Sequence, residues 1–255
     1  MVIPPHTGDH DGSPGVKGRL RSVDKQQVRE RVWAELRRRG AARFPGADGR
    51  IPNFVGAEAA ARRLASLPRW ESAAVLKSNP DLPQLPVRAA ALEDGKRLYM
   101  AVPRLAKERP FLLLDPGRLT VPPRRAASIK GAGAAGLPVH IEDVPRLDLI
   151  VCGTVAVNRK GVRVGKGGGF SDLEFALLTE AGAIDAETVV ATTVHGVQLL
   201  EEDLPDTTHD FRVDLIVTPD EVVRCRRAHR PRGVIASHLD REAAAKIPVL
   251  RTRLP

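Results

Sequence analysis

Aromatic side chains are scarce in this chain: its 255 residues include one tyrosine, two tryptophans and six phenylalanines. A core must therefore be built mostly from Val, Leu, Ile and Ala. Cysteine occurs only at Cys152 and Cys225, which excludes a disulfide framework or a cysteine-rich zinc site. No apolar run is long enough to span a bilayer, since the longest, residues 147–157, is interrupted by Asp148 and Gly153. The opening MVIPPHTGDHDGSPG lacks the basic start, apolar stretch and small-residue site of a secretion signal. No G-x-S-x-G elbow occurs, which removes the usual serine-hydrolase reading. These absences lead to the expectation of a reduced, cytoplasmic protein without membrane association, with a monomer as the default state.

What is present suits a folded protein. Hydrophobic residues make up 42%, too many for a disordered chain. Lys and Arg outnumber Asp and Glu by 40 to 31, a net charge of +9. That surplus admits a polyanion such as RNA as a partner, although an arginine-rich composition gives the same surplus without one.

The pattern along the chain divides it in three. Residues 1–22 are rich in Pro, Gly, Asp and His without apolar period, and are expected to be a disordered leader. Residues 23–222 read as one α/β domain. It begins with an amphipathic helix carrying Val28, Val32 and Leu36 and ending at Gly40. Strands are expected at 72–77, 98–102, 111–114, 147–157, 189–194 and 213–217, and helices at 57–67, 84–94 and 171–181. Near-continuous apolar strands alternating with helices predict a mainly parallel sheet with helices on both faces, a three-layer, Rossmann-type arrangement. Residues 223–255 form a basic C-terminal extension, packing on or trailing the domain, with Arg224, Arg226, Arg227, Arg230 and Arg232 clustered. Such a run suits RNA phosphates or a solvated face.

The sharpest local signal is GVRVGKGGGFSDLEF at 161–175. It lies between an apolar strand and a helix, and Ser171 with Glu174 three residues later predicts a capping box. Gly165, Gly167, Gly168 and Gly169 let backbone N–H groups approach an anion, and a helix N-terminus adds donors and a positive dipole end. Arg163 and Lys166 add charge. The spacing fits neither a Walker A loop nor the dinucleotide fingerprint, which needs a glycine where Phe170 stands. By itself the loop therefore predicts phosphate or carboxylate binding, or a ligand-free glycine turn. Asp172 suits the helix dipole, or a divalent cation shared with phosphates.

Residues 148–172 resemble the nucleotide-binding signature of the 5-formyltetrahydrofolate cyclo-ligase family, Gly-x-Arg-x-Gly-x-Gly-Gly-Gly-Tyr-Tyr-Asp-Arg. The matching positions are Gly161, Arg163, Gly165, Gly167, Gly168, Gly169 and Asp172. Gln198, Leu204, Pro205, His209, Asp210, Asp214 and Thr218 resemble its later segment, and Lys25 and Arg29 its opening helix. The run from Lys77 to Gln84, then Val87-Arg88, Gly95-Lys96 and Pro103-Arg104-Leu105, is similar to the methenyltetrahydrofolate synthetase domain-containing subgroup.

The resemblance implies ATP- and Mg²⁺-dependent closure of 5-formyltetrahydrofolate to 5,10-methenyltetrahydrofolate. Lys25 and Arg163 would act on the reacting phosphate. Lys25, Arg29, Gly165, Lys166, Gly167, Gly168, Gly169 and Phe170 would hold ATP, and Asp172 would hold the metal. Phe170, Ser171 and Leu173 stand where the family has Tyr, Tyr and Arg. That departure keeps a second expectation open, a member binding nucleotide, folate or RNA without turnover. His195 reads as a satisfied strand-end histidine or a catalytic one, the His209–Asp210 pair by type as a metal or acid/base pair and by the resemblance as a loop organiser, and Cys152 as a buried small hydrophobe.

Overall fold

The computed structural model describes residues 24–226, 230–239 and 241–251. The expected leader and Arg227 of the basic cluster lie outside the described residues. The helices are α1 (Lys25–Arg38), α2 (Ala57–Ala65), α3 (Pro68–Glu71), α4 (Leu85–Glu93), α5 (Pro123–Ala126), α6 (Ile129–Ala135), α7 (Phe170–Glu180) and α8 (Arg241–Ala245). The strands are β1 (Val75–Ser78), β2 (Arg97–Ala101), β3 (Phe111–Leu114), β4 (Leu137–Val139), β5 (Leu149–Cys152), β6 (Ala156–Asn158), β7 (Arg163–Val164), β8 (Val189–Thr193), β9 (Leu199–Leu200), β10 (Leu215–Val217) and β11 (Val222–Arg224).

Eight strands form the main sheet in the order β11-β10-β8-β5-β1-β2-β3-β4. The central pairings, β10 with β8, β8 with β5, β5 with β1 and β1 with β2, are parallel. Antiparallel strands close the two edges. Strand periodicity explains the layers. Leu76, Leu149, Val151, Val189 and Ala191 point to the face covered by α2, α4, α5 and α6. Val75, Ile150, Cys152 and Val190 point to the face covered by α7 and by Ala244, Ile247 and Leu250 of the C-terminal segment. Both faces are apolar because both are buried. Chain direction reverses between β1 and β5: β1 leads through α4 to β2, and β5 leads through α7 to β8 on the other side. In open parallel sheets, such a switch point opens a crevice at the carboxyl ends of the strands.

The expected strand at 147–157 is two strands in different sheets. β5 stays in the main sheet, and β6 joins a small sheet in the order β7-β6-β9. The break falls at Gly153, where an added Cβ would lie 2.9 Å from Asp81 Oδ2 and 3.1 Å from Ile51. α1 packs on this small sheet. Its Val28, Val32, Trp33 and Leu36 are buried with Val155, Ala156, Val162 and Val164, and Gly40, at φ +61°, ends it with the left-handed turn usual after a helix. The strand expected at 72–77 begins later, at Val75, because Ser72 caps the short α3.

Candidate functional site

The crevice at the β1–β5 switch point is built from four chain segments. The first is the β1 extension, Asn79 to Asp81. Buried Arg88 of α4 pins it, donating to the carbonyls of Asn79 (2.5 Å), Asp81 (2.9 Å) and Pro80 (3.2 Å). Burial holds the Arg88 guanidinium down to about 10. The second segment is the β5 exit at Gly153, whose N–H reaches Asn79 Oδ1 at 3.3 Å. The third is the glycine loop leading into α7, and the fourth is α1 with the 207–211 loop.

The predicted capping box at Ser171 and Glu174 does not form. α7 starts one residue earlier, at Phe170, and its N-cap is Gly169 at φ +67°, without a side-chain cap. Glu174 instead faces the sheet and pairs with Lys77. Among the described residues, no acceptor takes the backbone N–H groups from Lys166 to Asp172. Unsatisfied donors at a helix start form an anion cradle. Gly167, at φ +107°, brings the chain close to Arg29, whose guanidinium carbon would lie 3.4 Å from an added Cβ.

Cations ring this loop. Arg29 Nε donates to the Gly165 carbonyl at 2.7 Å, and burial lowers its pKa against the pull of Asp24 and Asp210. Lys166 Nζ reaches across the crevice to Asp81 Oδ1 at 3.1 Å. Lys25 pairs with Asp210 at 2.5 Å. Burial by itself would raise the Asp210 pKa, but the bonds from Lys25 and Thr207 outweigh it and hold it below its ordinary value. Asp210 thus organises its loop through Thr207, accepting from its N–H and hydroxyl at 2.7 Å each.

Arg163 lies beneath the loop with its side chain 2% exposed. It donates to Asp172 Oδ1 at 2.5 Å and stacks over the Phe211 ring at 3.8 Å. Its Nε has no acceptor. Burial opposes its charge, yet Asp172 wins and its pKa is raised. Asp172 Oδ1 also accepts from Phe211 N at 3.4 Å. Among the described residues no cluster of three metal-ligating side chains exists. The lone carboxylate of Asp172 would fit Mg²⁺ only beside a bound phosphate, since Mg²⁺ usually takes one or two carboxylates and completes its shell with phosphate oxygens and water.

All the sequence-predicted site residues therefore meet in one place: Lys25, Arg29, Arg163, Gly165, Lys166, Gly167, Gly168, Gly169, Phe170 and Asp172. The sequence places Asn79 and Asp81 only within the run that resembles the subgroup, and Glu174 only as a helix cap; it assigns none of the three a place in the site. The signal was the polar run Lys77 to Asp81 closing an apolar strand. Leu173 is buried in the core under α7, so that position offers no cation to the crevice. Cys152 is fully buried, and burial pushes its thiol up. His195 Nδ1 accepts the Val197 N–H at 3.1 Å, a structural cap, and burial lowers its pKa. Arg230 of the basic cluster is tied to Asp214 and donates to the Thr188 carbonyl at 2.8 Å. No described helix is long and apolar enough to cross a membrane.

Residues 21–219 match the model of the 5-formyltetrahydrofolate cyclo-ligase family. Over 242 residues the chain is 39% identical to a mouse methenyltetrahydrofolate synthase domain-containing protein, covering 90% of this chain and 63% of that one. The bovine protein of the same name is 37% identical over 243 residues, 90% of this chain and 62% of that one. The chain thus spans about three fifths of the length of these relatives. Its fold is similar to the NMR structure of Aquifex aeolicus 5,10-methenyltetrahydrofolate synthetase, with a TM-score of 0.51 and 21% identity over 84% of this chain and 97% of that one.

Proposed function

The chain belongs to the 5-formyltetrahydrofolate cyclo-ligase family, and on that premise we propose that it converts 5-formyltetrahydrofolate to 5,10-methenyltetrahydrofolate at the expense of ATP. The observation that carries the reading is the run of acceptor-free N–H groups from Lys166 to Asp172 at the switch point, ringed by Lys25, Arg29 and Lys166.

Phosphoryl transfer asks mainly for positioning and charge neutralisation. The loop amides and Arg29 would hold the phosphate chain. Lys25 would exchange Asp210 for phosphate oxygen. Arg163 is too buried to leave its place, so it would act from below, orienting Asp172 and adding positive potential. Mg²⁺ held by Asp172 would neutralise charge on the transferring group. In the reaction the formyl oxygen takes the γ-phosphoryl group, ADP leaves, N10 closes on the activated formyl carbon, and phosphate departs with the formyl oxygen while the N10 proton is released to it. Two free cysteines suit a reducing, cytoplasmic setting.

A second reading has one observation in its favour. The buried Leu173 leaves the crevice without a cation that the family places there, which suits a member that binds nucleotide or folate, or RNA through its remaining basic residues, without turnover. The test uses the purified chain with 5-formyltetrahydrofolate and MgATP. Methenyl product and ADP in equal amounts support the first reading. Nucleotide-dependent thermal stabilisation without product at high protein concentration supports the second.

A further inference from the structure

Two charged side chains are buried where an apolar pair would be expected. Lys77 on β1 is 3% exposed and Glu174 on α7 is 5% exposed, and they form an ion pair. Asn79 closes the network, donating from Nδ2 to Glu174 Oε2 at 3.1 Å. Its Oδ1 accepts from Gly153 N at 3.3 Å and lies 3.5 Å from Ser171 Oγ. Three polar groups thus tie the last residues of β1 and β5 to the first two turns of α7. Burying such a pair is a poor way to gain stability, because apolar side chains of the same volume often do as well or better. What the pair supplies instead is geometry, since it can form in one register only.

The cradle needs that geometry. Its N-cap is a glycine with no side-chain cap, so the start of α7 is held by side chains reaching it from elsewhere, Arg163 on Asp172 and Lys77 with Asn79 on Glu174. Its amides have no acceptors to hold them. We propose that Lys77, Glu174 and Asn79 are positioning residues that set the start of α7 against the β1–β5 crevice and so shape the phosphate cradle. This rests on reading the loop as that cradle.

The test compares amide hydrogen exchange in the whole wild-type chain, in K77M/E174M, which keeps volume and removes both charges, and in I150V, which trims the core of the same face. In K77M/E174M the amides of residues 173–177 should exchange at least about tenfold faster while those of β5 and β8 stay within about threefold, and the KM for MgATP should rise more than kcat falls. I150V should speed all protected amides together and leave KM unchanged. E174Q keeps the shape and an acceptor and should move the same amides in the same direction, which decides the matter if the double variant does not fold. Unchanged exchange over 173–177, or a uniform rise like that of I150V, overturns the proposal. A wild-type chain that ignores MgATP sinks the cradle reading instead, and the exchange comparison still decides the positioning role.

Discussion

Replacing Arg163 by methionine is the most informative single change to the site. The substitution removes the partner of Asp172 and the cation over Phe211. Breaking a buried ion pair on one side typically costs about 3–5 kcal/mol. Two features of this pair reduce that figure. Asp172 is 16% exposed, so water solvates part of the stranded carboxylate. The arginine also carries a buried Nε without acceptor, and removing an orphan donor returns about 1–3 kcal/mol. The expected loss is therefore about 2 kcal/mol, or roughly 4–8 °C in Tm for a chain of this size. Asp172→Asn in the same background should recover more than half of it, because no charge is then left without a partner. Urea unfolding of the four proteins in the cycle measures the coupling directly. A coupling energy below about 0.5 kcal/mol would place the pair among ordinary surface contacts and refute the claim that Arg163 acts through Asp172.

Two other changes test separate parts of the site. Gly161→Ala should destabilise by at least about 2 kcal/mol in the same assay, since its φ is +81° and the new Cβ would lie 2.3 Å from the Val213 carbonyl oxygen. His195 is held neutral by burial, with its folded pKa below the ordinary 6.5. The unfolded chain therefore binds the proton more tightly, so stability is full above that value and declines as pH falls through it. His195→Asn keeps an acceptor for Val197 N and should flatten the decline between about pH 7.5 and 5.5 in thermal unfolding; an equally steep decline in the variant would show that the histidine is not its source.

The parts of the molecule legible in the sequence are those set by short-range pattern. Apolar strands alternating with helices specify the layers, and a glycine run between strand and helix specifies the loop. The parts that were not legible depend on distant partners. Ser171 and Glu174 have the spacing of a capping box, but Glu174 finds Lys77, 97 residues earlier, and a buried charge outweighs a local cap. Lys25 meets Asp210 across 185 residues. The split of 147–157 turns on Gly153 passing close to Asp81 and Ile51, which no period in the segment encodes. Asp172 reads equally as dipole partner or metal ligand until Arg163 is seen beneath it.

The two faces of the sheet differ in when the chain supplies their covers. The face under α4 has its helices and strands complete once β11 is made, at residue 224. The face under α7 still lacks Ala244, Ile247 and Leu250. During synthesis from the N-terminus, one half of the core can therefore close while the other remains wet. A premature stop before residue 244 would yield a chain that already holds every glycine of the 161–169 loop but keeps an open apolar wound behind it, material for a chaperone or a protease rather than for chemistry.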